Sequence, residues 1–100
     1  MGRQAINTMS EGDLRNFGRN VRVRMAALDT TSTELAELVG MTKQAVNVKI
    51  RRGGPDAVAF FATILGVDEG ELLADSPAAV GAREPISKRK IAANAKKVSS

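Results

Sequence analysis

Between Leu14 and Leu73 the apolar residues fall mostly at steps of three and four, with no sustained alternation of the kind a half-buried strand requires. Leu14, Phe17, Val21, Met25 and Leu28 trace one face of a first helix, and Ser10 with Asp13 three residues on is placed to cap its start. "DTTSTE" at 29–34 breaks that pattern. Thr31 and Glu34 fit a capping box, in which two side chains satisfy orphan backbone N–H groups at a new helix start. Leu35, Leu38 and Val39 give this second helix an apolar stripe, and Ala36 leaves clearance for a crossing neighbour. Gly40 ends it, because glycine best takes the positive φ found just past a helix C-terminus. Thr42 then caps a third helix over about 43–51.

"RRGGP" is a loop. Pro55 suits the first turn of a fourth helix, and Asp56 lies near its positive dipole end. Val58, Phe61, Ala62 and Leu65 form the inner face, widened by Phe60 and Ile64, and Gly66 closes it. Asp68 caps a short fifth helix through Leu72 and Leu73. Beyond Ala74, "DSPAAVGAREP" reads as a linker. "ISKRKIAANAKKVSS" forms either a disordered tail or a short helix capped by Ser87, with Ile91, Ala95 and Val98 on one side. The expected organisation is an arm at 1–9, one all-α domain at 10–74, and a linker with a basic tail at 75–100.

Composition narrows the function classes. The chain has no cysteine and no histidine, so thiolate chemistry and the commonest general acid/base and metal ligand are missing. No paired carboxylates, phosphate-cradling glycine loop or metal-ligand spacing takes their place, so neither an enzyme nor a cofactor is expected. No small-molecule ligand is implied either. No run approaches the roughly 18–20 apolar residues that span a bilayer, and the N-terminus lacks a basic-then-apolar leader. A cytoplasmic protein without membrane contact is expected.

Charge is segregated. Residues 1–54 carry nine Lys/Arg against five Asp/Glu, residues 55–74 carry four acids and no base, and the tail is basic again. Such a distribution suits a polyanion-binding face backed by an acidic one.

Two helices joined by a tight glycine turn, the second capped and basic at its end, describe a helix-turn-helix. Leu35, Ala36, Val39, Gly40, Met41 and Val46 form its corner and inner surface. Lys43, Gln44 and Asn47 then point outward near the start of the third helix, with Val48 beside them. In a DNA major groove lysine donates to guanine O6/N7, glutamine or asparagine pairs bidentately with adenine N6/N7, and valine packs on a thymine methyl. Arg51 and Arg52 are candidate phosphate clamps; Arg19, Arg22 and Arg24 surround the first helix, and one or two of them, Arg22 first, are expected to reach the backbone.

Residues 17–73 resemble the Cro/CI-type (XRE-like) DNA-binding domain of phage and bacterial repressors. "TSTELAELVGMTKQAV" carries the likeness through Leu35-Ala36, Val39-Gly40-Met41, the Thr42 cap and Val46, and "ATILGVDEGELL" is similar to the family's close. The resemblance implies a compact five-helix, lambda-repressor-like fold. It implies base reading by Lys43, Gln44, Asn47 and Val48, and phosphate contacts from Thr42 and the second helix's N-terminus. The family usually has glutamine at that N-terminus; here Ser32 is a shorter donor. Lys49 stands where an apolar core residue is usual, so either its stem snorkels or Ile50 supplies the packing. The implied function is a sequence-specific regulator of transcription, a phage Cro-like repressor on a double-stranded DNA operator. A homodimer would form through helices four and five, the tail, or the DNA. The alternative is an antitoxin-type interaction module, its tail folding on a partner while the helix-turn-helix regulates its own gene.

Overall fold

The structure is a computed structural model and describes residues 9–99. Apart from Met9, the expected arm at 1–9 lies outside the described residues. Among those residues the chain forms seven helices: α1 Glu11–Ala27, α2 Ser32–Val39, α3 Lys43–Arg52, α4 Pro55–Leu65, α5 Glu69–Leu73, α6 Ala78–Ala82 and α7 Lys88–Ser99. The five expected helices are present, and two more follow them.

The helix starts follow from local hydrogen bonding. Ser10, Thr31 and Thr42 each accept a backbone N–H three residues ahead, from Asp13, Glu34 and Ala45 at 3.0, 3.1 and 3.0 Å. The box expected at Thr31 and Glu34 has both halves: Glu34 N–H donates to Thr31 Oγ1, and the Glu34 carboxylate accepts from the Thr31 backbone N–H. That carboxylate also takes Lys88 Nζ at 2.7 Å, reaching across the fold. A similar reciprocal interaction appears in α5, where Asp68 N–H donates to Glu71 Oε1 at 3.1 Å. Gly40 adopts φ 75°, ψ 33°, the left-handed conformation that turns α2 into α3 within three residues.

The core gathers Phe17, Val21, Met25 and Leu28 of α1 and its end against Leu35, Val46, Val58, Phe61, Ile64, Leu65 and Leu72. Between these apolar residues α1 carries a polar row at four-residue spacing, Asn16, Asn20 and Arg24. Asn20 Nδ2 donates to the carbonyls of Glu71, Leu72 and Ala74 at 2.9–3.1 Å, satisfying the orphan C-terminal carbonyls of α5. Asn16 Nδ2 donates to Leu73 O at 3.2 Å and Asp75 Oδ1 at 2.9 Å. Arg24 is fully buried and donates to the carbonyls of Leu65, Arg83 and Glu84, each at 3.0 Å. Through this row α1 binds the backbone of the chain's second half. Among the described residues no buried side-chain nitrogen or oxygen lacks a partner.

Of the two outcomes expected for the tail, the short helix capped by Ser87 forms, with Lys90 N–H donating to Ser87 Oγ at 3.1 Å, and the segment before it carries α6. Val80 of α6 and Ile91 of α7 are fully buried, and Ala95 nearly so. Helix α7 lies against α4 and α2, with Asn94 Nδ2 donating to Ile64 O at 3.4 Å. Val98, expected on the same side as Ile91, is 39% exposed because the helix has passed the end of the surface it covers. The earlier boundary at Ala74 followed a change of composition. The backbone hydrogen bonds of Arg24 and the burial of Ile91 cross it.

Candidate nucleic-acid interface

Helix α3 divides cleanly around its circumference. At about 100° per residue, Lys43, Asn47, Arg51, Gln44, Val48 and Arg52 follow one another around one half of the helix. Val46 and Ile50, both buried, lie on the opposite half, at about 300° and 340° from Lys43, so that Ile50 borders the Lys43 edge of the outer row. On the outer half Lys43, Gln44, Asn47, Arg51 and Arg52 are exposed and Val48 is half-buried. The corner that holds α3 out is apolar: Leu35, Ala36 and Val46 are buried, while Val39 and Met41 are half-buried against them. Met41 N–H donates to Ala36 O at 2.9 Å, closing the turn behind Gly40.

Two surface recesses flank the outer half. On one side Arg22 of α1, Ser32 of α2 and Asn47, Ile50 and Arg51 of α3 share a recess. Four residues expected at DNA from three different helices are thereby gathered in one place. On the other side Gln44, Val48 and Arg52 border a recess with Met41, Lys49 and Asp56. Hence the expected base readers separate, Asn47 on one flank and Gln44 with Val48 on the other, and Lys43 stands at the helix start. Thr42 is exposed, and its Oγ1 acts as the α3 cap.

Lys49 and Ile50 both meet the need noted in the sequence. Ile50 is buried in the core, and Lys49 lies half-buried with Nζ 5.2 Å from the Phe60 ring centroid. A cation over an aromatic face gains electrostatic attraction without entering the core.

The arginines of α1 do not act alike. Arg22 is exposed and belongs to the recess. Arg19 donates to the carbonyls of Ala74 and Asp75 at 2.9 and 2.6 Å. Arg24 is buried, and desolvation, then repulsion from Arg83, lowers its pKa while Glu71 opposes the shift. Of the three arginines among which one or two backbone contacts are expected, Arg22 is the one left at the surface, while Arg19 and Arg24 hold the fold. One signal for this was available, since Arg24 lies three residues past Val21 and seven past Phe17, on the apolar stripe itself.

Two of the four acids of the block, Asp68 and Glu71, are likewise paired within the chain. Arg83 Nε pairs with Glu71 at 2.9 Å, and its second nitrogen reaches Asp68 at 3.4 Å. The hydrogen bond from Arg83 raises that arginine's pKa and lowers the Glu71 pKa, with Asp68 N–H adding to the latter. Lys88 and Glu34 shift in the same senses through their mutual hydrogen bond. Part of the alternation of charge along the chain is thus an internal pairing of tail with body. A carboxylate whose folded pKa is depressed contributes stability that is complete above its unfolded pKa and is lost as pH falls through the folded value. Acid unfolding of the wild type should therefore steepen below pH about 4.5, the ordinary glutamate value. Glu71→Gln is expected to flatten that limb in denaturant titrations across pH; an unchanged acid limb would remove Glu71 from the account.

Among the described residues no helix is long and apolar enough to cross a membrane. Comparison of the chain with protein-family models, curated proteins and solved structures finds no match in any of the three.

Proposed function

We propose that the chain is a sequence-specific, double-stranded DNA-binding regulator of transcription, and that α1–α5 form a helix-turn-helix domain of the Cro/CI type. One observation carries the reading. The outer half of α3 is an unbroken row of Lys43, Asn47, Arg51, Gln44, Val48 and Arg52, flanked by a recess that adds Arg22 and Ser32 from two other helices. A helix of this width enters the major groove, where such donors and acceptors distinguish base pairs. The flanking arginines and the Ser32 hydroxyl supply phosphate contacts that fix register. Thr42 accepts its cap hydrogen bond and retains a hydroxyl proton to donate to a phosphate oxygen. In this reading Gln44 and Asn47 discriminate bases, Lys43 and Val48 add to them, and Arg22, Arg51 and Arg52 neutralise the backbone. Repression follows by occupation of a promoter, as in phage Cro-like regulators.

Pairing on the DNA is the route to a dimer that the surface favours. Among the described residues Val98 is the one large apolar side chain that is exposed, so α4 and α5 offer no broad apolar face to a second copy. The antitoxin-type alternative asks the tail to order on a partner. Helix α7 is packed on α2 and α4 of its own chain, which lends that alternative no support.

Footprinting on DNA upstream of the chain's own coding sequence, with excess random competitor, tests the proposal. Discrete protected segments are expected. Gln44→Ala should lose roughly 1–3 kcal/mol of discrimination at one base pair per half-site while keeping its affinity for random DNA. Uniform, sequence-blind protection by the wild type would reject base reading by α3.

A further inference from the structure

We propose that Arg89 and Lys90, at the start of α7, form a second phosphate-contacting patch that lengthens the DNA footprint beyond the segment read by α3, an inference that rests on the DNA-binding reading above. The argument begins with Lys88. Its ammonium is held by Glu34 at 2.7 Å, and Glu34 belongs to the first turn of α2. Ser32 opens that same turn and lines the recess with Arg22, Asn47 and Arg51. The ion pair therefore fastens the beginning of α7 to the first turn of α2, about two residues along the axis from Ser32 and on the other side of that helix.

The helix is also fixed along its length. Ile91 and Ala95 are buried at three and seven residues from Lys88, and Asn94 donates to Ile64 O at 3.4 Å. With positions 88, 91 and 95 facing the body, Arg89 and Lys90 are left on the solvent side, where both are exposed. Their side chains have no carboxylate partner among the described residues, unlike Arg83, which Glu71 and Asp68 hold. Two cations on an anchored helix lose less freedom on binding than two on a free tail. Phosphodiester oxygens are what such a patch recognises, so it adds affinity and register, and no base preference.

Lys97 provides an internal control. It lies on the same helix, about 11 Å further along at 1.5 Å per residue, away from the turn that meets Glu34. Arg89→Gln/Lys90→Gln retains good helix formers and removes two positive charges; Lys97→Gln removes one at the distant end. Affinity would be measured across a salt series for a duplex selected from a random pool by the wild type, and for unselected duplex. The double variant is expected to lessen the slope of log K against log salt by about 1.8 on both duplexes, from about 0.9 per phosphate. The ratio of the two affinities should stay unchanged, as should the circular-dichroism melt. Lys97→Gln should leave the slope near that of the wild type. A slope lost equally per charge in both variants would overturn the patch in favour of diffuse charge, and an unaltered slope in the double variant would overturn it outright. A fall in the affinity ratio would overturn the phosphate assignment. Equal wild-type affinity for both duplexes, with the slope still lessened, would uphold the patch and reject base reading instead. Failure of the wild type to bind either duplex would overturn both.

Discussion

Replacing Arg24 with leucine is expected to lower the unfolding free energy by about 3–5 kcal/mol, because three carbonyls lose a charged hydrogen-bond donor. The guanidinium is wholly inside the protein and gives hydrogen bonds to three carbonyls, those of Leu65, Arg83 and Glu84. Leucine has a comparable apolar stem and no donors. It leaves the buried Leu65 oxygen and the part-buried oxygens of Arg83 and Glu84 without their donor, at roughly 1–3 kcal/mol for each group kept from water. Local rearrangement and water reduce the sum to the stated range. Arg24→Lys should recover little, because a point charge on a flexible stem cannot span three acceptors arranged for a planar fork. For a chain of this length each kcal/mol moves Tm by about 4–8 °C, so thermal melting should show a fall of at least about 12 °C. Urea titration gives the free energy itself. A leucine variant within about 1 kcal/mol of the wild type would mean that the carbonyls find other partners and that Arg24 is not the tie between the two halves.

That residue also shows where reading the sequence succeeds and where it stops. Helix ends are legible because the atoms that make them are local: Ser10, Thr31 and Thr42 cap within three residues, and Gly40 and Gly66 take positive φ where a helix must stop. The outer and inner halves of α3 follow from periodicity, with Val46 and Ile50 turned in and Gln44 and Asn47 turned out. Which of Arg19, Arg22 and Arg24 faces outward is not legible from residue type, because arginine on a helix is ordinarily a solvent residue. The place of Arg24 on the stripe of Phe17 and Val21 marks it for burial, but no local pattern marks its partners, the carbonyls at 65, 83 and 84. In hindsight the row Asn16, Asn20, Arg24 at four-residue spacing is a polar face, and a polar face beside an apolar one calls for internal partners. The tail is harder still. The buried anchors of α7 are Ile91 and Ala95, too few to fold an isolated helix. It is held because α4 and α2 have already built the surface it covers, and because Glu34 waits for Lys88 at the far side of the chain. The same distance explains why the acidic block read as a repelled outer face: Asp68 and Glu71 meet Arg83 only once α6 has folded back.

Phe61→Ala is the second substitution with a large expected effect, a loss of about 3–5 kcal/mol. Phe61 is fully buried in α4 and stands between two rings, Phe17 of α1 at 5.8 Å and its neighbour Phe60 at 5.1 Å, both edge-on at 62° and 84°. Truncation removes the transfer energy of a large apolar side chain, leaves a cavity where α1 crosses α4, and forfeits pair geometry worth about 0.5–1.5 kcal/mol. The loss does not stay within α4. Phe60 carries Lys49 of α3 over its ring, so a Phe60 released from its edge contact loosens the support under the inner edge of the candidate interface. Urea unfolding should register the whole loss, and amide exchange in α3 should quicken in the alanine variant even where the chain remains folded. Phe61→Leu keeps most of the buried apolar area and should cost distinctly less. If the alanine and leucine variants were equally stable, cavity and ring geometry would have to be discarded as the cause. If exchange in α3 were unaltered in both, the path from Phe17 through Phe61 and Phe60 to Lys49 would hold the core without steadying the helix that faces outward.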